Sequence, residues 1–174
     1  MKINSNSIYD VKINDIDGKL IDMNKFKNKY ILIVNVASYC GYTSQYKDLQ
    51  KLHEQFSNIK IIATPCNQFF FQEPFNEKKI KSFCERTYKI TFDITEKIKV
   101  KGKNQHELYK WLTNNNLNGF KNCSVSWNFN KFLINCEGKL IEHFESNINP
   151  LSKKILKYLN WLKKCYYHYP FYRH

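Results

Sequence analysis

Tyr30-Ile31-Leu32-Ile33-Val34-Asn35-Val36-Ala37, followed at once by Ser38-Tyr39-Cys40-Gly41-Tyr42-Thr43, decides the fold. The first part is a near-continuous apolar run rich in β-branched residues. A strand of that kind is covered on both faces, which places it inside a largely parallel sheet with helices above and below. Past the turn, residues 43–56 carry Tyr46, Leu49, Leu52 and Phe56 at spacings of three, three and four. That period predicts an amphipathic helix, with Thr43 or Ser44 as its cap. Residues 59–64 are a second buried-strand run. Strand, helix and strand in this order predict a right-handed βαβ unit.

Upstream, residues 8–13 alternate apolar and polar, Asp17-Gly18 reads as a turn, and residues 19–21 complete a hairpin signal. Downstream, a loop over 65–75 leads to helices over 76–88 and 105–114. Residues 127–135 and 139–144 read as strands joined at Glu137-Gly138. The last helix covers 151–164, with Ile155, Tyr158, Leu159 and Leu162 on one face. This order suits an α/β thioredoxin-like sandwich, a central mixed sheet flanked by helices. One domain is expected over residues 1–164, followed by an aromatic and basic tail over 165–174.

The length of 174 residues fits a single domain, and 43% hydrophobic and 16% aromatic residues suffice for one sizeable core. The net charge of +13 attracts anions: an acidic partner or an anionic phospholipid surface. The lysines are scattered, with no base-reading helix or stripe, so nucleic acid is not an expected partner. No apolar run reaches the length of a membrane-spanning helix. The six cysteines, at 40, 66, 84, 123, 136 and 165, lack zinc-site spacing. With no secretion signal they read as reduced thiols in the cytoplasm, or in an organelle if a leader has been removed. The five histidines form no ligand cluster and no glycine-rich phosphate loop occurs, so neither metal nor cofactor is expected.

Cys40 falls between the most buried strand and the first long helix, at the carboxyl edge of the sheet where functional groups gather. Free N–H groups at a helix start favour a thiolate, the form that attacks a peroxide oxygen to give a sulfenic acid. The flanking Ser38 and Gly41 suggest an open turn. Thr43 stands where a dithiol oxidoreductase would carry its second cysteine. A sulfenic acid at Cys40 must therefore be resolved by glutathione or by a cysteine elsewhere in the chain.

Three ordered blocks resemble the motifs of glutathione peroxidases. They are Asn35-Val36-Ala37-Ser38-Tyr39-Cys40-Gly41-Tyr42-Thr43, then Pro65-Cys66-Asn67-Gln68-Phe69-Phe70-Phe71-Gln72-Glu73-Pro74, then Trp127-Asn128-Phe129-Asn130-Lys131-Phe132-Leu133. The resemblance implies a catalytic tetrad in which Cys40 is the peroxidatic residue and Gln72, Trp127 and Asn128 are its partners. Two amide N–H groups and an indole N–H can all donate to a thiolate or orient a peroxide. It further implies that Cys84 is the resolving cysteine, forming a Cys40–Cys84 disulfide once its helix unwinds, and that thioredoxin or a related dithiol protein reduces that bond. Cys66 is the competing resolver by position, while Cys123, Cys136 and Cys165 match no motif. Phe70 and Phe75 stand where the family usually has glycine. The connection over 114–126 lacks the longer insertion that tetrameric members of the family carry, so the resemblance implies a monomer with an open site that admits lipid hydroperoxides, and Lys131 adds charge beside the third block. A glutathione-dependent peroxidase, a thiol redox sensor and a non-catalytic protein that uses the +13 charge to bind nucleic acid or membranes are the alternatives.

Overall fold

The computed structural model describes residues 7–160. Its centre is a five-stranded sheet in the order β3-β2-β1-β4-β5. The strands are β1 (Tyr30–Val36), β2 (Ile59–Pro65), β3 (Asp93–Ile94), β4 (Lys131–Ile134) and β5 (Leu140–Phe144). β1 pairs in parallel with β2, from Tyr30 opposite Ile59 to Val36 opposite Pro65, and β2 pairs in parallel with β3. On its other edge β1 meets β4 antiparallel, and β4 meets β5 antiparallel. The sheet is mixed, as expected, and β1 is central and buried along its whole length.

Alternation along β1 sends Leu32, Val34 and Val36 to one apolar layer and Ile31 and Ile33 to the other. The first layer is closed by α1 (Gln45–Gln55) through Tyr46, Leu49 and Leu52. α2 (Glu77–Tyr88) adds Ile80 and Cys84, and α5 (Lys153–Asn160) adds Ile155 and Leu159. The second layer is closed by α3 (Glu107–Thr113) through Leu108, Tyr109, Trp111 and Leu112, with Ile8, Val11 and Ile13 of the N-terminal segment. A short α4 (Asn115–Asn118) follows α3 within the 114–126 connection.

Three elements differ from their sequence reading. Residues 8–13 do not form a strand: Ile8–Asp10 is a 3-10 turn, capped by the Ser7 side chain accepting from the Tyr9 N–H. The Asp17-Gly18 turn exists, with Gly18 at φ 82, but pairing shrinks to the Asn14–Leu20 bridge. The strand placed over 127–135 begins only at Lys131, because Phe129 takes φ 65 and the preceding residues are held by side chains. The last helix starts at Lys153; its expected end to residue 164 and the tail over 165–174 lie outside the described residues.

Candidate active site

Cys40 sits on the turn between β1 and α1. The Tyr42 N–H donates to its Sγ at 3.4 Å, and the Thr43 Oγ1 accepts from the Cys40 N–H at 3.0 Å while bonding back to the Ala37 carbonyl at 2.8 Å. Thr43 therefore shapes the turn instead of capping α1. Ser44 occupies the cap position and makes no side-chain capping bond. The turn is less open than its composition suggests: Cys40 is 7% exposed and Ser38 is buried, while Tyr39 and Gly41 face solvent.

Ser38 is closed off by Glu73. One carboxylate oxygen, Oε2, accepts from the Ser38 N–H at 2.9 Å and from its hydroxyl at 3.0 Å. The Tyr39 N–H then donates to the Gln72 carbonyl at 3.0 Å, so the Gln72 loop is fastened directly to the Cys40 turn. The Glu73 N–H donates to Asn67 Oδ1 at 2.9 Å, which fixes the loop from its other side. Glu73 is fully buried and its Oε1 has no hydrogen-bond partner among the described residues. Burial raises its pKa to about 7 against the pull of the Ser38 donors and of Lys97. Its sequence position beside Gln72 was visible, but nothing in a single chain says that this carboxyl points inward.

Trp127 and Asn128 arrive from the opposite edge of β1. Asn35, fully buried at the end of that strand, donates from Nδ2 to the Trp127 carbonyl at 2.9 Å and accepts the Asn130 N–H on Oδ1 at 2.9 Å. Asn130 Nδ2 donates to the Trp127 carbonyl at 2.9 Å and to Ser146 Oγ at 3.0 Å. Lys131 Nζ donates to the Phe129 carbonyl at 2.7 Å. This network turns residues 127–130 away from strand geometry. Asn128 Nδ2 donates to Gln72 Oε1 at 3.0 Å, so two of the expected partners of Cys40 meet each other. The Trp127 ring packs on Phe69 and Phe70, with centroids 5.8 and 5.4 Å away, and its indole N–H has no partner among the described residues. A cleft of about 360 Å³ opens beside it, lined by Tyr42, Ser126, Trp127, Glu145, Ser146 and Asn147.

Lys131 corrects one expectation. It is fully buried with its ammonium turned onto backbone carbonyls, so it presents no charge to a lipid headgroup, and burial lowers its pKa to about 7. Glycine's absence also acts differently at the two aromatic positions. Phe70 holds φ 50 and its neighbour Phe71 holds φ 56, whereas Phe75 is not at positive φ. Both central residues of the turn from Phe69 to Gln72, closed by the Gln72 N–H on the Phe69 carbonyl at 3.2 Å, are therefore in a backbone region that side chains resist.

The remaining cysteines separate by layer. Cys84, fully buried on α2, belongs to the same apolar layer as Cys40, while Trp127 packs against both layers. Cys66 lies in the layer across the sheet, with its Sγ accepting from the Gln68 N–H at 3.4 Å. Burial pushes the Cys84 thiol up to about 12, opposed by the facing Tyr46 hydroxyl and reinforced by Glu73. Burial raises the Cys66 thiol too. The five described cysteines are free thiols, and no cluster of three or more potential metal ligands occurs among the described residues.

The glutathione peroxidase family model matches residues 8–113. The chain belongs to the glutathione peroxidase family. The glutathione peroxidase-like peroxiredoxin GPX3 of Candida albicans is 45% identical over 151 residues, covering 83% of this chain and 87% of the relative. The hydroperoxy fatty acid reductase gpx1 of Synechocystis is 39% identical over 155 residues, covering 84% and 90%. Among solved structures, T. cruzi GPX1 superposes with a TM-score of 0.67 at 32% identity, over 88% of this chain and 94% of that one. As a member of this family the chain is a peroxidase with a thioredoxin-like fold, an oxidoreductase acting on hydroperoxides.

Proposed function

We propose that Cys40 reduces hydroperoxides in a two-cysteine cycle whose second thiol is Cys84 and whose reductant is thioredoxin or a related dithiol protein. The Cys40 thiolate attacks one peroxide oxygen; the O–O bond breaks, the thiol becomes a sulfenic acid, and the other oxygen leaves as water or alcohol once protonated. The observation that carries the first step is the Cys40 turn itself, with a backbone N–H on the sulfur and the Gln72–Asn128 pair fastened beside it. In this reading Gln72, Asn128 and the indole N–H of Trp127 are the donors that orient the peroxide.

In the second step the Cys84 sulfur displaces hydroxide from the Cys40 sulfenic acid, the thiol proton completes a water molecule, and a disulfide remains. Placement of Cys40 and Cys84 in one layer, with Cys66 across the sheet, favours Cys84 as the resolver. Cys84 is sealed inside α2, so that helix must open before the sulfurs meet. An external dithiol then reduces the disulfide by exchange. The proposed compartment is the cytoplasm, or an organelle. The proposed working form is a monomer that needs no prosthetic group, and lipid hydroperoxides at an anionic phospholipid surface are the proposed bulky substrates.

The test is hydroperoxide-dependent NADPH oxidation through thioredoxin and thioredoxin reductase, run beside glutathione and glutathione reductase. Turnover with thioredoxin is expected, lost in Cys40→Ser. Cys84→Ser should still consume one equivalent of peroxide but stop cycling with thioredoxin. A Cys84→Ser chain that cycles normally would remove Cys84 from the mechanism, and a wild-type preference for glutathione would do the same.

A further inference from the structure

The turn from Phe69 to Gln72 directs two adjacent phenylalanine rings into water. Phe70 is 81% exposed and Phe71 79%. Both residues also hold positive φ, where a glycine would sit without strain. Phe70 recovers part of this through its contact with Trp127. Phe71 makes no aromatic contact among the described residues, so within the folded domain its ring is exposed and its backbone strained together. Folding stability gives no account of such a residue; a surface that receives the ring does.

What surrounds the pair indicates the kind of surface. Tyr39, also largely exposed, packs on Phe75 with centroids 5.3 Å apart, extending the aromatic rim along the Cys40 turn. Lys101 Nζ lies 4.2 Å from the Phe69 ring centroid and Lys79 Nζ 5.9 Å from that of Phe75. Lys97, by contrast, turns its Nζ onto the Phe75 carbonyl at 2.6 Å and adds no outward charge to this rim, which leaves Lys79 and Lys101 as its cations. The nearby acids are Glu73, which is buried, Glu77, whose carboxylate accepts from the Lys97 N–H, and the exposed Glu145 across the cleft beside Trp127, a single carboxylate against the two outward lysines. Exposed aromatic tips flanked by lysines, on a chain of net charge +13, complement an anionic bilayer: the lysines face headgroups while the rings enter the interface. A projecting tip of this kind fits a deformable surface better than a rigid partner, which would need a matching pocket.

We propose that Phe70 and Phe71 dock the chain on anionic phospholipid bilayers, with the Cys40 turn facing the membrane. This rests on the peroxidase reading above and adds the element that brings the thiol to lipid hydroperoxides. Phe70 also supports Trp127, so Phe71 is the position to vary.

The experiment is co-sedimentation of the full chain with vesicles of phosphatidylcholine alone, or of phosphatidylcholine with phosphatidylserine. Wild type should sediment with the anionic vesicles and release at high salt. Phe71→Ser should bind them roughly tenfold more weakly, the scale set by withdrawing one aromatic ring from an apolar setting. Phe71→Gly should bind as weakly while melting at a higher temperature than wild type. Both variants should reduce hydrogen peroxide with thioredoxin at the wild-type rate, which keeps the docking and the peroxidase readings separable. Unchanged vesicle binding by Phe71→Ser would overturn the proposal, as would a wild type that ignores anionic vesicles. A raised KM for thioredoxin with vesicle binding intact would give the surface to a protein reductant and also reject it.

Discussion

Trp127 and Glu73 both border the Cys40 turn, and truncating each should have a different effect. Trp127 contributes an indole N–H with no partner among the described residues, beside an open cleft, so its polar end is available to a substrate. Trp127→Phe keeps most of the ring packing on Phe69 and Phe70 and removes that donor. We expect kcat/KM for hydrogen peroxide to fall about tenfold or more, with little change in the unfolding midpoint. Glu73 instead satisfies both donors of Ser38 inside the protein. Glu73→Ala leaves the buried Ser38 N–H without an acceptor and opens a cavity. It should lower stability by about 1–3 kcal/mol in denaturant titrations, with any loss of activity following from a loosened Cys40 turn.

At the scale of the element, α2 decides how readily Cys84 is released. Its N-terminus is fastened by Asn76, whose Oδ1 accepts the Lys79 N–H at 3.1 Å. Its C-terminus, one turn beyond Cys84, is closed by Lys89 at φ 55, a left-handed position more comfortable for glycine. These two ends predict opposite effects. Asn76→Ala should cost about 1 kcal/mol and accelerate formation of the Cys40–Cys84 disulfide after one equivalent of peroxide. Lys89→Gly should stabilise by about 0.5–1 kcal/mol and slow it. Quenched time points analysed by mass spectrometry measure both rates. Equal rates in the two variants would mean that opening of α2 does not limit resolution.

Across the whole molecule, Glu73 and Lys131 give stability an unusual dependence on pH. The Glu73 carboxyl has a folded pKa of about 7 against an ordinary 4.5. The native state therefore holds the extra proton between those values, and this contribution declines as pH rises from 4.5 to 7. The Lys131 ammonium has a folded pKa of about 7 against 10.5. Here the unfolded chain holds the extra proton, and stability is regained as pH rises from 7 towards 10.5. From these two groups stability should be lowest near neutrality and should climb on either side, the acid limb by up to about 3 kcal/mol and the alkaline limb by up to about 5 kcal/mol. Thermal melts from acid to alkaline pH test this. Glu73→Gln should flatten the acid limb and Lys131→Met the alkaline one.

The sequence by itself determined the central strand, the helix after it and the position of Cys40 between them. A run such as residues 30–37 has no other comfortable place than the middle of a covered sheet, and a local period is a property of neighbours along the chain. The three motif blocks likewise carried the family, because they are local strings. Where the pattern was weak, local reading failed: residues 8–13 alternate as a strand does, yet the Ser7 cap and core contacts at Ile8 and Val11 make a turn. Only the tertiary structure decided that Cys84 shares a layer with Cys40 while Cys66 lies across the sheet. That depends on which face each distant segment covers. It alone buried Glu73 and Lys131, two charged residues that composition assigns to the surface, because their inward direction is set by strands and loops far away in the chain. It also turned Phe70 and Phe71 outward, where an apolar triplet would be expected to pack. The cause is the tight turn that fastens Gln72 to Tyr39, which leaves no interior for those two rings to enter.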